Sequence, residues 1–335
     1  MSATIKVVHY GCGPIGGRLA KLVSQRKNLQ IVGAIDIDEA KVGRDLGELM
    51  GSDTKLGVVV SKDAEAVLKD SRADVVLHST SSSLNTALPQ FRQIIQAGSN
   101  IVSTCEELSF PEAQNSELGK ELDQLAKRHN VTVLGTGVNP GFVMDAWVIA
   151  VATLCQDVQR VQVTRVVDAS TRRQPLQKKI GAGLSVEEFK KLVQAKTVRH
   201  VGLTESIAMI AASLGWKLDE IDDTVEPAVA ETRVKSEYIT VEPGQAAGVR
   251  QIGRGFKDGK EVITLDLSMY IGAQEPHDTV KITGTPDLET TFKGGVPGDI
   301  ATASVVVNCI SRVVEAQPGL VTMKDLTLPG CTAGA

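Results

Sequence analysis

A glycine-rich turn between a short apolar strand and a helix constrains this chain more than any other feature. The run Ile5–Tyr10 has a β-type composition, and residues 18–23 have the apolar spacing of a helix. Between them stand Gly11, Gly13 and Gly16, in the spacing G-x-G-x-x-G. Gly11 allows a tight turn, Gly13 leaves room for a pyrophosphate against the backbone, and Gly16 lets the helix pack closely on the strand. The N–H groups at the start of the helix then face an anion.

An acidic residue closes the second apolar run of the chain. Residues 29–35 are mostly apolar, and Asp36 follows them, twenty residues after Gly16. A carboxylate at this position accepts hydrogen bonds from both hydroxyls of an adenosine ribose. The combination predicts a dinucleotide site that includes Pro14 and Ile15 between the glycines. The alternative is a glycine-rich turn with a purely structural role.

The residues around Asp36 bear on the choice of cofactor, NAD(H) or NADP(H). The Asp36 carboxylate repels a 2′-phosphate, which favours NAD(H). Lys41 and Arg44 follow shortly after it, and their charges allow NADP(H) through a shifted loop. The sequence therefore predicts a moderate preference for NAD(H) and leaves NADP(H) open.

Composition and charge argue against several classes of protein. The 335 residues are 42% hydrophobic with a net charge of −4, and no Lys/Arg block is interleaved with aromatic residues, which disfavours nucleic acid as a partner. No apolar run approaches the roughly 18 residues of a membrane span, and no signal-peptide pattern precedes the first strand. Five widely spaced cysteines without a C-x-x-C pair fit reduced thiols, and the five histidines lack ligand spacing. We therefore expect a cytoplasmic protein without metal, nucleic acid or membrane partners.

The order of predicted elements divides the chain into two domains. Up to residue 150, short apolar strands alternate with helices, which is typical of a doubly wound parallel sheet. Residues 158–167 and 262–271 instead alternate apolar and polar side chains, and the turn at 257–260 joins two such strands. This pattern predicts an antiparallel sheet covered on one face by helices. The predicted α/β fold consists of an N-terminal Rossmann domain, residues 1–150, to which residues 298–335 return, and an open-faced α+β domain, residues 151–297.

Polar side chains follow the predicted strands of the first domain where their carboxyl ends meet. In chain order these residues are Ser79, Thr80, Ser81, Cys105 and Asn139. Doubly wound sheets hold ligands at this edge, so we expect all five at the cofactor. Helix capping is the alternative role for the hydroxyl-bearing residues, and we expect both roles there. Asn139, which precedes a proline, is also a typical start of a helix.

Five motifs spread over nearly the whole chain resemble one family. They are Gly-Cys-Gly-Pro-Ile-Gly at 11–16, Ser-Thr-Cys-Glu-Glu-Leu at 103–108, Asn-Pro-Gly-Phe-Val-Met-Asp at 139–145, Gln-Lys-Lys-Ile-Gly at 177–181 and Gly-Asp-Ile-Ala-Thr-Ala at 298–303. These motifs are similar to those of the 2,4-diaminopentanoate dehydrogenases and native amine dehydrogenases. A more distant similarity is to dihydrodipicolinate reductase and homoserine dehydrogenase, which combine a Rossmann domain with an open-faced mixed sheet. The resemblance implies NAD(P)-dependent interconversion of an amine with a ketone and ammonia, usually in a homodimer, with the second domain binding substrate and forming the dimer.

Two carboxylates and no lysine follow the fifth predicted strand. Oxidation of an amine produces an iminium cation, for which a carboxylate is the matching partner, whereas an alkoxide-like centre suits a Lys or His proton donor. The resemblance places a lysine of the homoserine dehydrogenases at Glu106. We therefore predict that Glu106, with Glu107 as the second choice, deprotonates the ammonium substrate or activates water for iminium hydrolysis. The alternative is a pair of acids that stabilise the dipole of the following helix.

Candidate substrate contacts are spread over both domains. They are Phe142, Trp147, Arg172, Arg173, His200 and Thr302. The aromatic pair suits an apolar pocket wall, the arginine pair a bidentate clamp for a carboxylate, and the histidine a polar wall. The alternative for the aromatic pair is core packing, and that for the arginine pair is a solvated surface position. The alternative for the histidine is a loop position bound by backbone groups. Thr302 rests on the resemblance alone.

Two other functions are compatible with the same residues. One is a reductase of a cyclic imine or an aldehyde, as in the distant relatives, and the other is a redox sensor that binds a dinucleotide without turnover. The carboxylate pair in place of a lysine argues against an alcohol product, and a sensor needs no carboxylates at this edge. We expect a small amine or ketone and ammonia as partners.

Overall fold

The computed structural model describes residues 4–52, 55–172 and 174–331. The chain divides into two compact units: unit 1 is Met1–Phe142 with Pro297–Ala335, and unit 2 is Val143–Val296. The strands are β1 Ile5–Tyr10, β2 Leu29–Ile35, β3 Val60–Ser61, β4 Val75–His78, β5 Asn100–Ser103, β6 Thr132–Gly135, β7 Asp157–Asp168, β8 Glu220–Val229, β9 Val234–Lys235, β10 Thr240–Val241, β11 Ala246–Lys257, β12 Lys260–Tyr270, β13 His277–Thr285, β14 Leu288–Lys293 and β15 Gly319–Val321. The helices are α1 Pro14–Ser24, α2 Leu46–Leu49, α3 Ala64–Ser71, α4 Leu84–Gln96, α5 Ser116–Arg128, α6 Ala146–Ala152, α7 Gln174–Lys179, α8 Val186–Gln194, α9 Leu203–Ser213 and α10 Gly298–Glu315. None of the helices in the described ranges is long and apolar enough to cross a membrane.

Unit 1 is built on a parallel sheet. Its strands pair in the order β15-β6-β5-β4-β1-β2-β3, and every pair is parallel. The short apolar strands β4, β5 and β6 are almost entirely buried, as parallel strands between two layers of helices must be. The strand order reverses at β1, and doubly wound sheets bind ligands beyond the carboxyl ends of the strands at such a point. The arrangement confirms the predicted Rossmann-type sheet.

Unit 2 is built on a mixed sheet in the order β14-β13-β7-β12-β11-β8. The strands β7 and β12 are parallel, and the other neighbours are antiparallel. The expectation of a purely antiparallel sheet is wrong on this point, because two-residue alternation reports which face of a strand is buried and not its direction. The mixed sheet itself, implied by the resemblance, is confirmed. The predicted hairpin turn lies between β11 and β12, where Asp258 and Gly259 have φ of 52° and 69°, as a type I′ turn requires.

The helices α8 and α9 lie on one face of the mixed sheet. A capping box begins α8, in which the Ser185 hydroxyl accepts the N–H of Glu188 and the Glu188 carboxylate accepts the N–H of Ser185. A Cβ added to Gly253 of β11 would lie 2.8 Å from Cδ1 of Ile207 on α9, so the helix packs directly on the strand. Alternate residues of β11 point to the other face, where Arg250 forms an ion pair of 2.7 Å with Asp266 of β12.

The start of α6 differs from the prediction. The helix begins at Ala146, and its N-cap is Asp145, whose carboxylate accepts the N–H of Ala146 at 2.6 Å. Residues 139–145 form successive turns, so Asn139 caps no helix. The Asn-Pro pair is a common helix start, but Asp145 is an equally good cap placed directly before the apolar helical run. Asn139 is thereby left for another role.

Candidate active site

The glycine turn between β1 and α1 has the geometry that a dinucleotide needs. Gly11 has φ of +97°, and a Cβ on it would lie 2.7 Å from the carbonyl oxygen of Ser79. A Cβ on Gly16 would lie 1.9 Å from the Gly11 oxygen, whereas no atom lies within 4 Å of a Cβ placed on Gly13. No side chain caps α1, so the N–H groups of its first turn, which includes Ile15, have no intrahelical partner. The turn fits a pyrophosphate placed at Gly13.

A cavity of about 250 Å³ opens beside this turn. Its lining residues are Tyr10, Gly11, Gly13, Asp36, Ile37, Lys41, Ser79, Thr80 and Gln90. Ile37 is 80% exposed and follows Asp36 in sequence, so it offers an apolar surface next to a carboxylate. A flat apolar base attached to a ribose needs both features. The cavity therefore fits the adenosine half of a dinucleotide.

Asp36 is fixed by two backbone groups and by Lys41. Its Oδ2 accepts the N–H of Cys12 at 2.7 Å and a hydrogen bond from the Lys41 ammonium at 3.1 Å, and its Oδ1 accepts the N–H of Asp38 at 2.9 Å. Burial raises the pKa of Asp36, but these hydrogen bonds outweigh it, so the pKa lies below its ordinary value. Asp36 therefore presents an ionised carboxylate at neutral pH, with a cation beside it.

The hydroxyl-rich loop after β4 is tied to the glycine turn. The Ser79 hydroxyl donates to the carbonyl oxygen of Gly11 at 3.0 Å, and Thr80 lines the cavity. The Ser81 hydroxyl accepts the N–H of Ser83 at 3.1 Å, within the loop. Ser83 is the N-cap residue of α4, but its side chain makes no capping hydrogen bond. The loop therefore lies at the candidate cofactor cavity, and the expected capping by its serines is not observed.

The two carboxylates after β5 have different surroundings. Oε2 of Glu107 accepts the N–H of Leu84, the first residue of α4, at 2.7 Å, so Glu107 supplies the cap that the serines do not. Glu106 is half-buried at the start of a one-turn 3₁₀ helix. The Cys105 thiol, whose pKa is raised by burial, donates to the carbonyl oxygen of Ser82 at 3.2 Å. Glu107 and Cys105 thus fasten the turn that carries Glu106 to the start of α4.

The loop after β6 holds Asn139 in a buried position. The N–H of Thr136 donates to the carbonyl oxygen of Ser103 at 2.8 Å, and the N–H of Val138 donates to the Thr302 hydroxyl at 3.2 Å, which ties the loop to β5 and α10. Asn139 is 8% exposed, and its amide has no hydrogen-bond partner in the described part of the chain. Unpaired buried polar groups cost roughly 1–3 kcal/mol each. An amide in this state fits a site completed by a ligand that also carries an amide, as nicotinamide does.

The aromatic substrate candidates lie in different units. Phe142 is the last residue of the first segment of unit 1 and is half-buried. Trp147 belongs to α6 of unit 2, and its ring packs on Phe292 of β14, with the ring centroids 4.1 Å apart. Trp147 is thus packed on a neighbouring ring, but Phe292 is 39% exposed, so the pair is not part of the buried core. Of the two candidate arginines, Arg173 lies outside the described residues.

Arg172 lies in a loop that a buried glutamine holds. The Gln177 amide donates to the carbonyl oxygens of Ala169 at 3.0 Å and Arg172 at 2.8 Å, and its oxygen accepts the Ser236 hydroxyl at 2.7 Å. Gln177 is fully buried and was missed by residue-level reasoning, although it begins one of the motifs that carry the resemblance. A buried glutamine surrounded by backbone carbonyls has no sequence signal of its own. The hydrogen bonds of Gln177 therefore hold the backbone of the Arg172 loop in a defined conformation.

His200 lies near three cations in unit 2. Its backbone N–H donates to the Gln251 side chain at 2.7 Å, and Nδ1 of its ring has no hydrogen-bond partner among the residues that the structure describes. Burial and, to a smaller extent, the charges of Lys179, Arg165 and Arg199 lower the pKa of His200 to about 3. His200 is therefore neutral at neutral pH, and two of these cations are paired, Arg165 with Asp278 and Arg199 with Asp223.

The carboxyl edge of the parallel sheet brings the sequence-predicted cofactor residues of unit 1 together. Asp36 follows β2, the glycine turn follows β1, and the loops after β4, β5 and β6 come next in the sheet. This order matches an extended dinucleotide with adenosine at β2 and nicotinamide towards β5 and β6. Within the described ranges, no group of three or more His, Cys, Asp or Glu side chains is arranged to hold a metal ion.

Known proteins resemble the chain over its full length. A family model described as the 2,4-diaminopentanoate dehydrogenase C-terminal domain matches residues 142–335, and one for the dihydrodipicolinate reductase N-terminus matches residues 5–135. The chain is 36% identical to a 2,4-diaminopentanoate dehydrogenase of Acetoanaerobium sticklandii, over 98% of this chain and 95% of the relative. It is 25% identical to an amine dehydrogenase of Streptomyces virginiae, over 97% of this chain and 96% of the relative.

A solved structure agrees with these relatives. The amine dehydrogenase of Mycobacterium smegmatis superposes with a TM-score of 0.85 at 29% identity, covering 97% of this chain and 96% of that one. The resemblance stated from the motifs and the oxidoreductase class are both confirmed. The chain therefore belongs to the 2,4-diaminopentanoate dehydrogenase family, among the NAD(P)-dependent dehydrogenases that act on amines.

Proposed function

We propose that the protein interconverts an amine with a ketone and ammonia, and that Glu106 is the catalytic base. The nicotinamide supplies hydride transfer when it is bound. The Glu106 carboxylate takes a proton from the ammonium form of the amine, so that the nitrogen lone pair is available as the C–H bond breaks. After oxidation the carboxylate releases this proton to solvent water and then takes one from the water that adds to the iminium carbon; it returns that proton to the nitrogen as ammonia leaves. A carboxylate also stabilises the positive charge of the iminium, which a lysine would oppose.

The choice of Glu106 over Glu107 rests on one observation. The Glu107 carboxylate accepts the N–H of Leu84 at 2.7 Å and so has a structural task at the start of α4. A carboxylate that caps a helix makes a weaker capping bond once it takes a proton, because its charge is lost. Glu106 belongs to the same turn, at the start of the 3₁₀ helix beyond the end of β5, and is half-buried. The capping role of Glu107 supports Glu106 as the residue that exchanges protons.

For the cofactor we propose the arrangement seen at the glycine turn. Gly11, Gly13, Gly16 and the first turn of α1 hold the pyrophosphate, and Asp36 accepts the adenosine ribose hydroxyls. Lys41 lies 3.1 Å from Asp36, and its charge reduces the repulsion of a 2′-phosphate. NAD(H) is therefore preferred and NADP(H) is accepted. Asn139 pairs with the nicotinamide carboxamide.

For the substrate we propose an amine that also carries a carboxylate, of which 2,4-diaminopentanoate is the example that the relatives suggest. The loop of Arg172, which Gln177 holds in place, supports an anion-binding function of unit 2. We further propose a cytoplasmic homodimer, on the resemblance and on the five unpaired cysteines. Arg173, Phe142, Trp147 and Thr302 stay predicted substrate contacts.

Oxidation of NADH and NADPH, followed at 340 nm with ketones and aldehydes in the presence and absence of ammonia, tests the function. We expect turnover of a ketone only when ammonia is present. Equal turnover without ammonia would identify a carbonyl or imine reductase instead, the function of the relatives of the N-terminal part. Binding of NADH without any turnover over the whole panel would favour the redox sensor.

A further inference from the structure

A chain of hydrogen bonds in unit 1 runs from the cofactor cavity to the turn that carries Glu106. His78, the last residue of β4, is fully buried at its centre. On one side, Nε2 lies 2.7 Å from Oε1 of Gln90 and 2.9 Å from the hydroxyl of Thr80, and both of these residues line the cavity. On the other side, Nδ1 lies 2.9 Å from the hydroxyl of Ser103, the last residue of β5.

The directions of these bonds follow from the donors present. The Ser103 oxygen accepts the N–H of Cys105 at 3.0 Å, so the Ser103 hydroxyl proton is free to point to Nδ1 of His78. Nδ1 is then an acceptor, and the ring carries its proton on Nε2, which donates to Gln90. Burial lowers the pKa of His78 to about 4, so this neutral tautomer persists at neutral pH.

The chain ends at the residue that precedes Glu106. Two hydrogen bonds hold Cys105. Its backbone N–H donates to the Ser103 hydroxyl, and its thiol donates to the carbonyl oxygen of Ser82 at 3.2 Å. Thr80 and Gln90 line the cavity, so a ligand that fills it would contact them, and a change in either alters the bonds available to His78. The Glu106 turn is therefore linked to the cavity wall by bonds of at most 3.0 Å.

We propose that His78 is a positioning residue that couples occupation of the Thr80–Gln90 wall by the cofactor to the placement of Glu106. The proposal rests on the proposed role of Glu106 as the base. Such a coupling delays the assembly of the base until the dinucleotide is bound. Because binding energies are reciprocal, an ordered Glu106 turn also favours the bound cofactor.

The experiment compares Ser103→Ala with Ser99→Ala. Ser103 ends β5 and is 0% exposed, and Ser99 directly precedes β5 and is 1% exposed. The Ser99 hydroxyl donates to the carbonyl oxygen of Ala73 and is not part of the chain of hydrogen bonds through His78. We expect Ser103→Ala to lower kcat about tenfold and to shift the acid limb of the kcat–pH profile at saturating NADH. Ser99→Ala leaves both unchanged. Identical kcat and pH profiles in the two variants would overturn the proposal.

Gln90→Met breaks the chain of hydrogen bonds at its other end and is compared with Ser99→Ala if Ser103→Ala does not fold. Where both single variants fold, we expect the double variant Gln90→Met with Ser103→Ala to lose no more kcat than the worse single variant, since either break interrupts the same chain of hydrogen bonds. Independent, additive losses would mean that the two residues act separately and would refute the coupling.

Hydrogen exchange gives a readout that needs no turnover. NADH should protect the amides of residues 104–109 about tenfold in the unmodified protein and in Ser99→Ala, and not in Ser103→Ala. Equal protection in both variants, or none in the unmodified protein with NADH bound, contradicts the proposal. Lack of ammonia-dependent turnover contradicts the amine dehydrogenase function instead, and is thus distinguishable.

Discussion

The two units use polar side chains in opposite ways. In unit 1 they gather at one edge of the parallel sheet, where Asp36, Glu106 and Asn139 each follow a different strand. In unit 2 many charged side chains pair with each other across the mixed sheet, as Arg250 does with Asp266 and Arg165 with Asp278. Parallel strands end together at an edge that backbone pairing does not fill, whereas the long strands of unit 2 carry side chains on their faces. Topology therefore brings the candidate site residues of unit 1 to one edge, and much of the charge in unit 2 is used to hold the sheet together.

The largest expected effect is at Glu106 in unit 1. Glu106→Gln keeps the shape of the side chain but removes proton transfer, so we expect kcat to fall on the order of 10²–10⁴-fold with the Kd of NADH little changed. Stopped-flow kinetics and fluorescence titration measure both. In the matched variant Glu107→Gln we expect activity to persist and the free energy of unfolding to fall by about 1 kcal/mol, since an amide caps α4 less well. An active Glu106→Gln beside an inactive Glu107→Gln would exchange the two roles.

A large loss of stability is expected in unit 2, at Asp278. Its carboxylate lies 2.6 Å from the Arg165 guanidinium, and the two side chains are 1% and 4% exposed. Burial raises the pKa of Asp278 and lowers that of Arg165, so each charge depends on its partner. Asp278→Ala leaves the guanidinium unpaired, and we expect the free energy of unfolding to fall by about 3–5 kcal/mol in urea titration.

The exposed pair Arg250–Asp266 is the control for that variant. Its side chains are 50% and 22% exposed, so Asp266→Ala should cost at most about 1 kcal/mol. Equal losses at the two sites would show that burial does not decide the strength of these pairs.

Arg172 is the charged residue of unit 2 that we propose to bind the substrate carboxylate. The probes are 4-oxopentanoate and 2-pentanone, two methyl ketones of equal length with and without a carboxylate, each assayed with ammonia. We expect the unmodified enzyme to prefer the first by about ten- to a hundredfold in kcat/KM, at roughly 1.4 kcal/mol per decade. Arg172→Ala should remove this preference, and Lys178→Ala, at an exposed lysine of α7, should keep it. If the unmodified enzyme prefers 2-pentanone, Arg172 has a structural role and the protein is a general amine dehydrogenase that needs no substrate carboxylate.

His9 is a buried polar residue within a strand of unit 1. It is the penultimate residue of β1 and is 1% exposed, neither ring nitrogen has a partner among the described residues, and burial lowers its pKa to about 3. The folded pKa lies below the ordinary value, so the stability from His9 is full above about pH 6.5 and is lost as the pH falls towards 3. At pH 5 the loss is about 2 kcal/mol, from roughly 1.36 kcal/mol per pH unit.

The measurement is the urea midpoint of unfolding at pH 7 and pH 5. His9→Leu should flatten the dependence on pH, because leucine takes no proton. His129→Gln, at an exposed histidine, should keep the dependence of the unmodified protein. An unchanged slope in His9→Leu would assign the acid sensitivity to other groups.

Local sequence patterns predict the structure correctly where one short segment builds the feature. The glycine turn depends on residues 11–16 and on Asp36, all within two strands and a helix, and the structure has the expected geometry there. The helix start was misplaced because Asn139 and Asp145 are equally good caps, and only the packing of α6 decides between them. The parallel pairing of β7 and β12 depends on the path of the long connection between them, which no local residue pattern predicts.

Long-range hydrogen bonds account for what the sequence did not predict. Glu107 caps a helix that starts 23 residues earlier, and Ser103 lies 25 residues from His78. Arg165 and Asp278 are 113 residues apart. Each residue type is compatible with a surface position when it is considered alone. The catalytic, cofactor and substrate assignments therefore stay predictions, to which the structure adds positions and partners.

The Glu107 cap on α4 also bears on how a variant at position 106 is interpreted. The turn after β5 is anchored through the side chain of Glu107 and the thiol of Cys105, and neither anchor involves the side chain at position 106. Both anchors are therefore retained when residue 106 is replaced. A loss of activity in Glu106→Gln would then report on the carboxylate itself, because Glu107 and Cys105 still hold the turn.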